Sequence, residues 1–161
     1  VSDVQAKVDS PLGELWVVSS AAGLQSVHRE AQGLDAGDPH GAIAAFAAYT
    51  EGRLDALDAL PVDVQGTPFQ RRVWLALRSI PPGQTTTYGG LCSMLGLPLG
   101  AARAVGAANG ANPLGIVLPC HRVIGADGAL TGYAWGLPAK RTLLRHEGAL
   151  PPEQVGLFGR G

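Results

Sequence analysis

Residues Tyr88-Gly-Gly-Leu-Cys-Ser-Met-Leu-Gly-Leu-Pro-Leu-Gly-Ala-Ala-Arg-Ala-Val-Gly-Ala-Ala-Asn-Gly110 place two short apolar segments either side of a Gly/Pro-rich turn. The pattern predicts a helix over Tyr88–Leu95, a turn over Gly96–Gly100 and a second helix over Ala101–Gly110. Two short helices joined this tightly read as a helix-turn-helix. On the second helix, positions 103, 106, 107 and 110 share one face and read Arg, Gly, Ala, Gly. A lone cation among minimal side chains can approach another molecule's backbone closely. Base-reading helices carry several polar residues instead, so this face suits shape and backbone contact. Close packing of two helices, with Arg103 as a surface charge, fits the same pattern.

Upstream, Thr67-Pro68 reads as an N-cap followed by proline at the first helical position. Phe69, Val73, Leu77 and Ile80 then line one face of a helix that Pro81-Pro-Gly83 ends. The run Thr85–Thr87 leads into the helix pair. Earlier still, Val4–Val8, Leu15–Ser19 and Leu24–His28 read as a strand meander around Pro11-Leu-Gly13 and Ala22-Gly23 turns. Ala42–Glu51 has helical composition, and Leu60–Val64 is a candidate further strand. A boundary near Gln65-Gly66 divides the chain into 1–65, an α/β unit, and 66–150, a mainly helical unit. A last helix spans Pro138–Glu147 before Gly148, and 151–161 reads as a weakly ordered tail.

Downstream of the helix pair, Ile116-Val-Leu-Pro-Cys-His-Arg-Val123 sets a cysteine, an imidazole and a guanidinium side by side. Ile116–Leu118 reads as a buried strand that Pro119 ends. The thiolate is the reactive form of cysteine, neighbouring positive charge favours it, and a histidine can take the thiol proton. A packed core cysteine with a surface His-Arg pair is the competing reading. Glu147 lies one turn beyond Leu143 and Leu144, so it points where the last helix buries its leucines. A buried carboxylate needs a partner, and His121 is a candidate, since a carboxylate on one ring nitrogen orients the other as a base.

The overall net charge of −1 hides an asymmetry. Residues 1–65 carry three Lys/Arg against ten Asp/Glu, a net of −7, and residues 66–161 carry nine against three, a net of +6. A polyanion is therefore expected to meet the second half alone, with moderate, salt-sensitive affinity. Docking of a basic half onto an acidic one would give the same numbers. The two cysteines, Cys92 and Cys120, show no CxxC and no zinc spacing. Cys92 reads as an inert buried thiol. No apolar run reaches membrane-spanning length, and Val1-Ser-Asp-Val4 lacks the basic and apolar regions of a signal peptide. A reducing cytoplasm fits a nucleophilic thiol.

Leu118-Pro-Cys-His-Arg-Val-Ile124, with Gly132-Tyr133, Leu144-Arg-His-Glu147, Ala102-Arg-Ala-Val105 and Asn112-Pro113, resembles the O6-alkylguanine-DNA alkyltransferase family in residues, order and spacing. The resemblance is strong over 66–148 and weaker at Ser10-Pro-Leu-Gly-Glu-Leu15. It implies a ribonuclease H-like amino-terminal domain and a winged helix-turn-helix-like carboxy-terminal domain. The implied reaction is single transfer of an alkyl group from O6 of guanine in double-stranded DNA to Cys120. O4-alkylthymine is a further candidate substrate. The implied catalytic set is Cys120, His121 acting through a water, Glu147, Asn112 as a bridge to the thiol, and Tyr88 toward guanine N3.

The pocket implied by the resemblance is formed by Tyr133, the Ala134 amide, Trp135, and the carbonyls of Cys120 and Val123. Arg103 is the implied finger entering through the minor groove, with Ala102, Gly106, Ala107, Thr87 and Arg122 also against DNA. No cofactor or metal is expected, and the protein is expected to be monomeric in solution, with cooperativity on DNA left open. Two departures concern the pocket: Trp135 stands where the family often has glycine, and Ala134 where some members have serine. Three other classes share features: a lesion reader lacking a thiol, a cysteine hydrolase that turns over, and an operator-binding regulator. The presence of Cys120, Arg103 and the small-residue face argues against each in turn.

Overall fold

The computed structural model describes residues 2–151. Three strands, β1 (Val4–Val8), β2 (Leu15–Ser19) and β3 (Leu24–His28), form an antiparallel meander in the order β1-β2-β3. Alternation places Ala6 and Val8 inward with Lys7 exposed, as a one-sided sheet requires. The turn between β1 and β2 closes on Gly13 N–H to Ser10 C=O, 2.9 Å, with Gly13 at φ +97°. Helix α1 (Ala42–Thr50) packs on β1. Its first amides are held by Asp38, whose carboxylate accepts from Ala42 N–H at 2.7 Å and Ile43 N–H at 3.1 Å.

The expected strand over Leu60–Val64 is reduced to one parallel bridge, Leu24 with Val62. The segment still belongs to the sheet edge: Leu24 N–H donates to Pro61 C=O at 2.9 Å, and Asp63 N–H to Leu24 C=O at 2.7 Å. Gly23 permits this approach, since a Cβ there would lie 2.8 Å from the Pro61 and Val62 backbone.

Helix α2 (Pro68–Ala76) starts as its sequence dictates. Thr67 and Gln70 form a reciprocal capping box, with hydrogen bonds of 3.0 and 3.1 Å. A single 3-10 turn, Leu77–Ser79, ends it. Helices α3 (Tyr88–Met94) and α4 (Ala102–Gly110) follow, separated by a 3-10 turn at Leu99–Ala101 and a bend of 116°. Trp74 locks α2 to α4 through its indole N–H on Ala108 C=O, 2.7 Å. Thr86–Thr87 forms β4, which pairs in parallel with β5 (Val123–Ile124). Helix α5 (Leu137–His146) is the last helix among the described residues and is capped at Glu147.

One hydrophobic cluster runs through both halves, from Val8, Leu15 and Phe46 to Val73, Leu91, Leu118 and Leu143. Residues 152–161, most of the expected tail, lie outside the described residues. No single helix among the described residues is long and apolar enough to cross a membrane.

Ile116–Leu118 is not a strand. It is buried as expected, yet it forms a turn in which Ile116 adopts φ +73°. No strand among the described residues pairs with it. Its backbone is satisfied locally instead: Leu118 N–H bonds Leu114 C=O at 3.0 Å, and the Asn112 amide donates to Leu118 C=O at 2.7 Å.

Candidate active site

Pro119 ends that turn, and Cys120–Arg122 forms one 3-10 turn. Successive side chains in such a turn point about 120° apart. Cys120 lines a cavity of about 180 Å³, while His121 and Arg122 point into the protein, 0% and 5% exposed.

Glu147, at the end of α5, receives both. Arg122 Nε donates to its Oε1 at 2.8 Å and Arg122 Nη2 to its Oε2 at 2.8 Å, a bidentate pair. Arg122 Nη1 also donates to Ile80 C=O at 2.5 Å. His121 Nε2 lies 3.0 Å from Glu147 Oε2, off the line of a well-directed hydrogen bond, and Nδ1 has no partner among the described residues. Tyr49, from α1, adds a hydroxyl donating to Glu147 Oε2 at 2.5 Å. The assignment of Arg122 to the DNA surface is therefore corrected. Its guanidinium is buried because a buried Glu147 requires a charge partner.

The electrostatics follow from burial. Burial pushes the Cys120 thiol up, opposed by a hydrogen bond from Asn112 and the charge of Lys140. Burial likewise pushes His121 down, opposed by Glu147. Burial alone would raise Glu147, but the hydrogen bonds from Arg122 and the close approach of His121 hold it well below the usual carboxylate range. The resting pair is thus a thiol and a neutral imidazole beside a carboxylate. The adjacent Arg122 does not favour the thiolate as its place in the sequence suggested, because its charge is paired with Glu147.

Lys140 was not anticipated. It is fully buried, and its ammonium donates to Val123 C=O at 2.6 Å and Thr131 C=O at 2.9 Å. Burial lowers its pKa, and the neighbouring Cys120 sulfur opposes that shift. The signal was available: Lys140 stands on the leucine face of α5, one turn from Leu143 and Leu144, by the reasoning that singled out Glu147.

The cavity is lined from both halves of the chain. Ser26, Val27 and His28 come from β3, and Asn109, Asn112 and Pro113 from the end of α4 and beyond. Tyr133, Ala134 and Trp135 come from the segment before α5. Val27 N–H bonds Pro113 C=O at 2.9 Å, which fixes the two halves against each other here. Trp135 stands edge-on to Tyr133, with ring centroids 6.3 Å apart, and the Arg29 guanidinium lies 5.5 Å from the indole centroid. Arg29 also reaches Trp135 C=O at 3.4 Å.

Two pocket expectations change. Val123 does not line the cavity, and its carbonyl is occupied by Lys140 because β5 turns inward toward α5. Tyr88 does not line it either: its hydroxyl is hydrogen-bonded to Thr131 Oγ1 at 2.8 Å. The ring packs beneath α4, where a Cβ on Gly106 would meet it at 3.5 Å.

On α4, Arg103, Ala107 and Gly110 are exposed and Gly106 half-buried, while Val105, Ala108 and Asn109 are buried. Ala102 is half-buried, and the Thr87 hydroxyl caps α3 by accepting from Gly90 N–H at 2.9 Å. The small-residue face with its one cation is therefore free at the surface.

A thiol at the floor of a cavity, backed by a buried His-Glu-Arg cluster and set beside an angled helix pair, defines a nucleophilic group-transfer protein. The family model described as "6-O-methylguanine DNA methyltransferase, DNA binding domain" matches residues 68–149. The chain is 48% identical to a methylated-DNA–protein-cysteine methyltransferase of Salmonella typhimurium, covering 91% of this chain and 96% of that protein. Identity to the protein of the same name from Mycobacterium bovis is 42%, covering 94% and 96%. Among solved structures, the Mycobacterium tuberculosis O6-methylguanine methyltransferase superposes with a TM-score of 0.78 at 41% identity, covering 98% of this chain and 99% of that one. The Mycobacterium tuberculosis OGT solved in complex with DNA gives 0.71 at 41% identity, covering 89% and 91%. The chain belongs to the methylated-DNA–protein-cysteine methyltransferase family, the O6-alkylguanine-DNA alkyltransferases.

Proposed function

We propose that this protein repairs DNA by direct reversal, moving the alkyl group of O6-alkylguanine onto Cys120. The observation that carries this reading is the thiol at the cavity floor, backed by a buried histidine and carboxylate. A base stacked in a duplex cannot reach such a thiol, so the nucleotide must be extruded into the cavity. Arg103, on the exposed small-residue face of α4, enters from the minor groove and fills the space left behind. Ala102, Gly106 and Ala107 let the helix backbone come close to the strand.

In the chemical step the Cys120 proton passes toward His121, and Glu147 stabilises the imidazolium that forms. The sulfur attacks the alkyl carbon in line. An S–C bond forms as the C–O6 bond breaks, and the electron pair leaves on guanine, which then takes up a proton. The thioether is stable, so each molecule acts once.

On this reading residues 1–65 are a reduced ribonuclease H-like unit that closes one side of the cavity. Residues 66–150 are a winged helix-turn-helix-like unit that carries the chemistry. The protein works as a monomer in the cytoplasm. The test is stoichiometry: with excess O6-methylguanine duplex, repaired lesions should plateau at one per protein, each molecule gaining the mass of one methylene. Continued turnover would reject it.

A further inference from the structure

The inner face of α1 carries Ala42, Phe46 and Tyr49, spaced as one buried stripe of a helix. A phenylalanine would fill the last place as well, so the tyrosine hydroxyl needs its own account, since a buried hydroxyl finds a partner. Tyr49 is fully buried and meets the end of α5 twice. Its carbonyl lies 2.7 Å from His146 Nε2, and the two rings stand edge-on with centroids 4.9 Å apart. Its hydroxyl donates to Glu147 Oε2 at 2.5 Å. Burial and the charge of Glu147 push the phenol far above its ordinary range, so it stays a donor.

Glu147 Oε2 is a crowded atom. A carboxylate oxygen offers about two lone pairs. Arg122 Nη2, at 2.8 Å, and the Tyr49 hydroxyl take both. His121 Nε2 comes third, at 3.0 Å but off the line of a hydrogen bond. We propose that Tyr49 is a positioning residue for the proton relay: its hydroxyl fills the lone pair that His121 would otherwise take, and so keeps the resting imidazole neutral and able to accept the Cys120 proton. An imidazole bonded to a free carboxylate lone pair becomes more basic and holds a proton at rest. A base already protonated accepts nothing from a thiol. The other charges facing His121, on Arg122 and Lys140, act in the same direction as Tyr49. Cys120 and Tyr133, both pushed up by burial, add no charge at rest. This inference rests on the alkyltransferase reading.

The test uses the full chain and Tyr49→Phe, which keeps the ring against His146 and removes the hydroxyl alone. His121 is titrated by NMR in both proteins, and single-turnover methyl transfer from an O6-methylguanine duplex is followed against pH. In Tyr49→Phe the His121 midpoint and the acid limb of the rate should both move up by roughly half to one pH unit, the scale of one hydrogen bond to a charge. Below the limb the rate should therefore fall by about three- to tenfold relative to the wild type. Should Tyr49→Phe fail to fold, replacing Tyr49 with a ring-fluorinated tyrosine keeps the ring and makes the hydroxyl a stronger donor, and both midpoints should move down instead. An unmoved His121 midpoint, or a rate reduced by one factor at every pH, would overturn the proposal and leave Tyr49 as a clamp between α1 and α5. No transfer by the wild type at any pH would instead reject the alkyltransferase reading and the relay role with it, whatever the titration gives.

Discussion

Glu147 is the residue on which the site turns. It accepts from Arg122 twice and from Tyr49 once, and His121 lies 3.0 Å away. Its charge must therefore serve folding and proton transfer together. Removing one partner of a buried charge pair costs several kcal/mol, about 3–5 in measured cases. Glu147→Gln should lower stability and also slow methyl transfer. His121→Ala should slow transfer, and the double variant should lose far less than the sum, because groups acting as a unit are non-additive. Single-turnover rates against pH check this. A pH–rate profile left in place by both substitutions would show that the proton takes another route.

Trp135 makes a second residue-scale prediction. Its indole forms part of the cavity wall and is held there by Arg29 and Tyr133. A cavity of about 180 Å³ walled by a braced indole leaves little freedom for a large alkyl group. Misalignment by about 1 Å can cost around a hundredfold in rate. O6-benzylguanine should react slowly relative to O6-methylguanine in DNA, and Trp135→Gly should speed the benzyl substrate selectively. An unchanged benzyl-to-methyl ratio would mean that the indole only stiffens its segment.

At the scale of elements, α4 presents Arg103 on a surface otherwise made of Gly and Ala. If that side chain replaces an extruded base, Arg103→Ala should impair repair in duplex DNA much more than transfer from the free modified base. Arg103→Lys should restore part of the duplex rate, since an ammonium lacks the planar guanidinium. Equal losses on both substrates would assign Arg103 to general charge or folding.

Element boundaries were legible wherever local chemistry marks them. Thr67-Pro68 and Gly148 frame helices because caps act within a single turn, and β1 to β3 follow from alternation between turns. The active-site turn was not legible. Ile116–Leu118 is apolar enough for a strand, but strand formation needs a partner, and here the Asn112 side chain takes over one of the carbonyls. Adjacency misled at Arg122 for a related reason. Cys-His-Arg in a row says nothing of direction, and a 3-10 turn sends the three side chains to different places. Glu147 was read from helical periodicity. Lys140 obeys the same rule and was missed, since lysine is so often exposed.

Across the whole molecule, the amino-terminal half reaches the chemistry through Tyr49 on Glu147 and through β3 and Arg29 at the cavity. The opposed net charges of the halves also look different in three dimensions, because Arg122 and Lys140 are buried and add little to the basic surface. Acid should undo this assembly in two steps. His121 and Glu147 both have lowered pKa values in the fold, so the unfolded chain binds more protons and stability falls as pH falls. The histidine step starts as pH drops through its ordinary 6.5, and the carboxylate step through its ordinary 4.5. Thermal midpoints against pH should show both, and Glu147→Gln should flatten the lower limb. A lower limb unchanged in slope would contradict the charge assignment.

The most direct measurement is to locate the transferred group. After reaction with a duplex containing O6-methylguanine, the protein is digested and its peptides weighed. Methyl should be found on the peptide containing Cys120, with none on that containing Cys92, and Cys120→Ser should bind the lesion while acquiring no methyl. Methyl on Cys92, or an unmodified protein after complete repair, would contradict the account.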